Sequence, residues 1–192
     1  MKKKYDFKPD AAGAGLLSRL YLPPRQRQQI LKWFLFGLVC VILQVLQDVI
    51  FSRVRIFDAT TDLLAAALFL ICVQQGADRS CIFLLVMSLF YVFSGSAPGS
   101  FVVFVLPLIG MIISTFRESF LRNCFGSTLL CVSAGLVLYE LLKFFIGLLT
   151  GSTSATWLRA FLLTALLSAL LVPVLNPLMR SIGQIGGDEW KE

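Results

Sequence analysis

Histidine is absent from all 192 residues of this chain. Its absence excludes a histidine-based nucleophilic triad and a histidine-ligated metal. Charge is scarce as well. Only 15% of residues are charged and 57% are hydrophobic, against about 25% and about 45–50% in an ordinary globular domain. The five cysteines, Cys40, Cys72, Cys81, Cys124 and Cys131, are odd in number and lie within or at the ends of apolar runs. They form neither a disulfide framework nor a metal-ligand spacing, and are expected to be buried, inert thiols. Glycine-rich phosphate loops and metal-ligand clusters are missing, so no cofactor and no metal is expected. Ser94, Ser96 and Ser100 share a glycine-rich turn, but neither histidine nor a nearby lysine is there to act as base. An enzyme is not expected. The apolar segments lack period-two alternation and exceed strand length, which argues against a membrane β-barrel. The first long apolar run begins only after residue 32 and no small-residue cleavage site follows it, so a signal peptide is not expected.

What is present is long, uncharged and apolar. The expected fold class is an all-α integral membrane protein, a compact bundle of six transmembrane helices. A cytoplasmic basic arm (1–32) precedes a six-helix domain (33–180), and a cytoplasmic tail (181–192) closes the chain. Within the arm, Leu16, Leu17, Leu20 and Tyr21 have helical spacing before Pro23 and Pro24. Two readings stay open there: an interfacial helix held by anionic lipid, or a solubilising tail. The spans are placed at 33–52, 59–75, 80–93, 101–116, 124–149 and 157–175. The second is short, with Asp62 placed to cap its amino end. Pro107 is expected to kink the fourth, and Gly110 to admit a close neighbour. Asn176, Pro177 and Gly183 are expected to lead out of the sixth. The uncharged stretch 94–100 reads as a tight turn between the third and fourth spans.

Charge distribution supports six spans. With the amino terminus inside, the arm contributes Lys2, Lys3, Lys4, Lys8, Arg19, Arg25, Arg27 and Lys32. Arg79, Arg117, Arg122, Arg180 and Lys191 join them on the same side. Only Arg53, Arg55 and Arg159 fall outside, and Lys143 lies within a span. Thirteen against three is the bias expected of six spans with both termini in the cytoplasm. The same charge gives no basic face to nucleic acid, because helices in lipid offer none.

Ionisable residues within spans are costly and mark candidate sites. Gln44, Gln47 and Asp48 occupy one face of the first helix, and Glu140 and Lys143 stand three residues apart in the fifth. Three readings fit: internal neutralisation, a polar patch for a partner, or a pocket for a small ligand or ion. Lys143 is expected to reach Asp48 across the bundle.

The order of these features resembles the MreD family, the rod-shape-determining membrane proteins of bacteria. The resemblance is carried by Gln44 late in the first span and by Asp62-Leu63-Leu64 opening the second. The stretch from Val92 to Gly99 is similar to the family's small-residue turn, with Gly95 and Gly99 at motif positions. The basic loop from Arg117 to Arg122, Glu140-Leu141-Leu142 and the exit from Pro173 to Arg180 complete it. Thr61 stands where the family has proline, and Tyr91 where it has an aspartate before the turn. The resemblance implies a fold similar to the substrate-binding components of energy-coupling-factor transporters. It also implies a non-enzymatic scaffold of cell elongation and lateral peptidoglycan synthesis that binds MreC, with MreB, RodA and the elongation penicillin-binding protein reached through it. A micronutrient-transporter substrate-binding component is the alternative.

Overall fold

A computed structural model describes residues 24–51, 59–120 and 124–185. Among them are six α-helices and no strand. Helix α1 (Pro24–Leu46) ends in a π-helical turn (Gln47–Phe51). Then come α2 (Leu63–Gln75), α3 (Ala77–Phe93), α4 (Val102–Phe120), α5 (Phe125–Leu149) and α6 (Leu158–Gly183), the last led in by the short 3₁₀ turn Ala155–Trp157. The stretches Gln26–Ile50, Val102–Phe120, Phe125–Leu149 and Leu158–Gly183 are long and apolar enough to cross a membrane. The 17 residues of α3 and the 13 of α2 are fewer. The exterior is apolar too: Phe104 is 75% exposed and Leu149 85%. A surface of this kind belongs in lipid, since water-soluble domains rarely expose large apolar patches.

The shortest helix organises the rest. Every residue of α2 from Leu63 to Val73 is buried, and the helix touches each of the other five. Those five close a ring around it in the order α1, α3, α4, α5, α6 and back to α1. The reason is visible in its composition. Leu63-Leu64-Ala65-Ala66-Ala67-Leu68-Phe69-Leu70-Ile71-Cys72-Val73 is apolar on all sides, so it can be surrounded on all sides. The ring helices instead bury one stripe each. In α1 that stripe is Lys32, Phe36, Cys40 and Gln44, at four-residue spacing. In α6 it includes Thr164, Ser168, Val172, Leu175 and Met179. Gly110 of α4 is where the packing is closest: a Cβ there would meet Leu84 Cδ2 at 2.4 Å and Cys72 Sγ at 3.3 Å.

At about 1.5 Å per residue, α2 is roughly 20 Å long, about two-thirds of a bilayer's hydrocarbon thickness. Both of its ends therefore lie inside the bundle, where unpaired backbone groups are costly. Side chains from the ring satisfy them. At the carboxyl end, Ser114 Oγ donates to Cys72 O at 3.2 Å, and the buried Arg117 guanidinium donates to Val73 O. Gln74 Nε2 donates to Asn176 Oδ1 at 2.8 Å.

Several boundaries differ from the sequence expectation. Helix α1 starts nine residues before residue 33, and α4 runs through Arg117 to Phe120, because Arg117 turns inward to α2 rather than into a loop. Helix α6 continues through Pro173, Asn176 and Pro177 to Gly183. Leu175, Met179 and Ile182 are buried along that extension, and Asn176 is tied to Gln74, so packing outweighs the two lost backbone donors. Cys40, Cys72 and Cys131 are buried as expected, but Cys124, just before α5, is exposed. The expected interfacial helix around Leu16 to Tyr21 and the tail from residue 186 lie outside the described residues.

Candidate functional site

The amino end of α2 gathers most of the polar residues singled out in the sequence. Asp62 is 4% exposed and caps the helix, its Oδ1 accepting the Ala65 N–H at 3.2 Å. Its own N–H donates to Ser168 Oγ of α6 at 2.8 Å. Gln47 begins the π-helical turn of α1, and its Oε1 accepts the Leu64 N–H at 3.1 Å. Two of the free N–H groups that open any helix are thus supplied with acceptors, one local and one from a neighbouring helix.

Around the second carboxylate oxygen of Asp62 the site becomes ionic. Lys143 Nζ of α5 lies 3.4 Å from Asp62 Oδ2, pairs with Glu140 one turn earlier, and stands 4.4 Å from the centroid of the Tyr139 ring. The Tyr91 hydroxyl of α3 approaches Asp62 Oδ2 at 3.5 Å and is met by Gln47 Nε2 at 3.4 Å. The carboxylate that Lys143 meets across the bundle is therefore Asp62, not Asp48 as expected. The reason is topological: α1 and α5 are not neighbours in the ring, and α2 lies between them. Burying charges at such depth costs several kcal/mol each and is offset only by good pairing and hydrogen bonds, which this cluster provides.

Asp48 has a different task. Its Oδ2 accepts the Ser96 hydroxyl at 2.7 Å, and one turn earlier Gln44 Nε2 donates to Ser94 Oγ at 2.5 Å. The polar stripe of α1 is thereby fastened to the turn between α3 and α4. Gly95, in that turn, has φ +75°, a backbone conformation that suits glycine. Gly99 lies against the Phe101 ring, where a Cβ would come within 2.7 Å.

Between these groups lies a cavity of about 340 Å³. Helix α1 contributes Gln47 and Asp48 to its wall, and the approach to α2 contributes Thr60, Thr61 and Asp62. Tyr91, Ser96 and Pro98 line it from α3 and the following turn, with Lys143 from α5 and Thr164 from α6. All of its lining residues but Pro98 carry a hydroxyl, an amide or a charge, and it is large enough for a small polar molecule or one polar side chain. Gln47, Asp48, Asp62 and Lys143 line it; Gln44 and Glu140 stand behind it, supporting Ser94 and Lys143.

Tyr91, Tyr139, Thr164 and Ser168 were not picked out from the sequence. Thr164 and Ser168 carry a legible signal, two small polar residues four apart on one face of an otherwise apolar helix. In the sequence Tyr91 stands out only as a departure from the MreD pattern. Its hydroxyl hydrogen-bonds the Asp62 cluster, which nothing in its own segment announces. Tyr139 is fully buried and offers no such signal.

Comparison with protein-family models, curated proteins and solved structures found no match to this chain.

Proposed function

We propose that this chain is a non-enzymatic scaffold of the MreD type in the bacterial cell-elongation complex. It would sit in the cytoplasmic membrane with six spans and both termini inside, bind MreC, and through it join MreB, RodA and the elongation penicillin-binding protein. The sequence resemblance supplies the family. The observation that carries the scaffold role is that Asp62, Gln47 and Lys143, at the amino end of α2, are engaged by one another's surroundings within the bundle. Both oxygens of Asp62, both ends of Gln47 and the Lys143 ammonium are engaged within the protein. Such a network fixes the relative positions of α1, α2, α3, α5 and α6, as a rigid platform for a partner helix requires. The thirteen-to-three charge bias supports the orientation.

One observation favours a second reading. The cavity of about 340 Å³ has the convergent polar lining that a substrate-binding component of a micronutrient transporter needs.

Co-purification separates binding from folding. In membranes holding MreC and this chain, Asp62→Asn and Lys143→Met are expected to reduce MreC capture at least fivefold once scaled to the amount of folded chain. Capture that falls only in proportion to the folded chain would mean that the cluster serves folding alone, and would count against the rigid platform proposed for it.

A further inference from the structure

One ammonium serves two carboxylates at the amino end of α2. Lys143 lies 3.4 Å from Asp62 and also pairs with Glu140, one turn earlier on its own helix. Glu140 is 1% exposed and Asp62 4%. Among the described residues neither carboxylate has a further cation as partner. Fully ionised, the three groups would leave one net negative charge in the interior of the bundle. Two acids that share a buried site with too little matching charge do not both stay ionised, and the proton they take up belongs to the pair.

The two acids are not equally supported. Besides Lys143, Asp62 accepts the Ala65 N–H at 3.2 Å and meets the Tyr91 hydroxyl at 3.5 Å. Glu140 has Lys143 alone, and among the described residues no other donor reaches it. The elements around the cluster add polar groups but no second cation. Helix α3 brings Tyr91, α6 brings the hydroxyls of Thr164 and Ser168, and α5 itself brings Tyr139, whose buried hydroxyl has no partner. Arg159, at the start of α6, is exposed, and α4 places Arg117 and Glu118 at the carboxyl end of α2. Asp48 stands on the α1 wall of the cavity, bonded to Ser96.

We propose that the cluster is a proton-binding site, in which one proton from the aqueous side resides on Glu140 and leaves Lys143 matched to Asp62. Asp62 and Lys143 line the cavity and Glu140 stands behind Lys143, so the proton enters and leaves through the cavity. The carboxylate becomes a neutral acid, and no other covalent bond forms or breaks. Release of the proton divides Lys143 between two anions and loosens its hold on Asp62. The link between α5 and the amino end of α2 is therefore tighter with the proton than without it. The folded chain then binds one proton more than the unfolded chain over the range where an exposed glutamate is ionised. Its folding equilibrium weakens by up to about tenfold for each unit that pH rises through the release. The proton would regulate the platform proposed above, but the site stands on the cluster alone. Its test needs no MreC, so the two readings fail separately.

That test is infrared spectroscopy of the purified full-length chain in a neutral detergent. The carbonyl stretch of protonated carboxyl groups is followed as pH is lowered from mildly alkaline to mildly acidic, a range in which exposed carboxylates remain ionised. The wild-type chain is expected to gain the band of one carboxyl group, shifted in heavy water. Glu140→Gln and Asp62→Asn each restore one acid to one ammonium, and both are expected to lose that band. Glu140→Gln preserves the shape of the side chain and decides the matter if Asp62→Asn does not fold. No band in the wild-type chain, or an unchanged band in folded Glu140→Gln, would overturn the proposal. So would a band kept in folded Asp62→Asn, because burial of Glu140 alone would then hold the proton.

Discussion

Asp62→Ala is expected to destabilise the folded bundle by about 3 kcal/mol, the lower part of the range for removing one member of a buried ion pair. The low end applies because Glu140 still holds Lys143. Part of the loss comes from the helix cap, typically about 1 kcal/mol, as the Ala65 N–H loses its acceptor. Asp62→Asn keeps an oxygen for that N–H and is expected to lose less. Adding Lys143→Met to Asp62→Ala is expected to cost less than the two single changes together, because the Asp62–Lys143 contact that the second change would break is already gone after the first. Reversible unfolding in mixed detergent measures all four proteins. Strict additivity would show that the 3.4 Å approach of Lys143 to Asp62 carries no coupling.

Phe69→Ala carries the second large effect, about 3–5 kcal/mol. Phe69 is fully buried at the middle of α2, edge-on to Tyr139 at 6.1 Å, and close to Gly135 of α5. In lipid there is little hydrophobic drive between helices, so the cost is lost packing and the cavity left at the centre of the ring. Phe104→Ala is the control. That ring is 75% exposed, and its loss is expected to change stability by less than about 0.5 kcal/mol. Equal effects at the two positions would mean that α2 is not the axis of the bundle.

The helices were legible in the sequence because apolar runs punctuated by charge or by small uncharged turns define them. Segments 80–93 and 124–149 lie within three residues of α3 and α5 at each end. The position of α2 was harder to read. As a span it was too short, but the lack of any polar face on Leu63–Val73 was the evidence that other helices cover it. Inward turns of polar residues were hidden for a related reason. Arg117 read as the start of a cytoplasmic loop, because nothing in its own segment reveals that a carbonyl of α2 ends beside it. Asn176 likewise read as an exit signal, and its partner Gln74 is remote in sequence.

The site was half legible. Gln44, Gln47, Asp48, Glu140 and Lys143 announced themselves as polar groups in apolar helices, and Asp62 as a cap. Their pairing depends on which helices are neighbours, and local pattern does not encode that. The Ser94–Ser100 stretch read as turn chemistry alone, yet Ser94 and Ser96 hold Gln44 and Asp48 of α1.

Depleting this chain from its source cells, with cell width and uptake of labelled micronutrients followed together, tests the proposed function most directly. The account predicts rounded, widened cells with uptake unchanged, and restoration of the rod by the wild-type chain. Cells that keep their shape while losing uptake of one micronutrient would contradict it and establish the transporter reading instead.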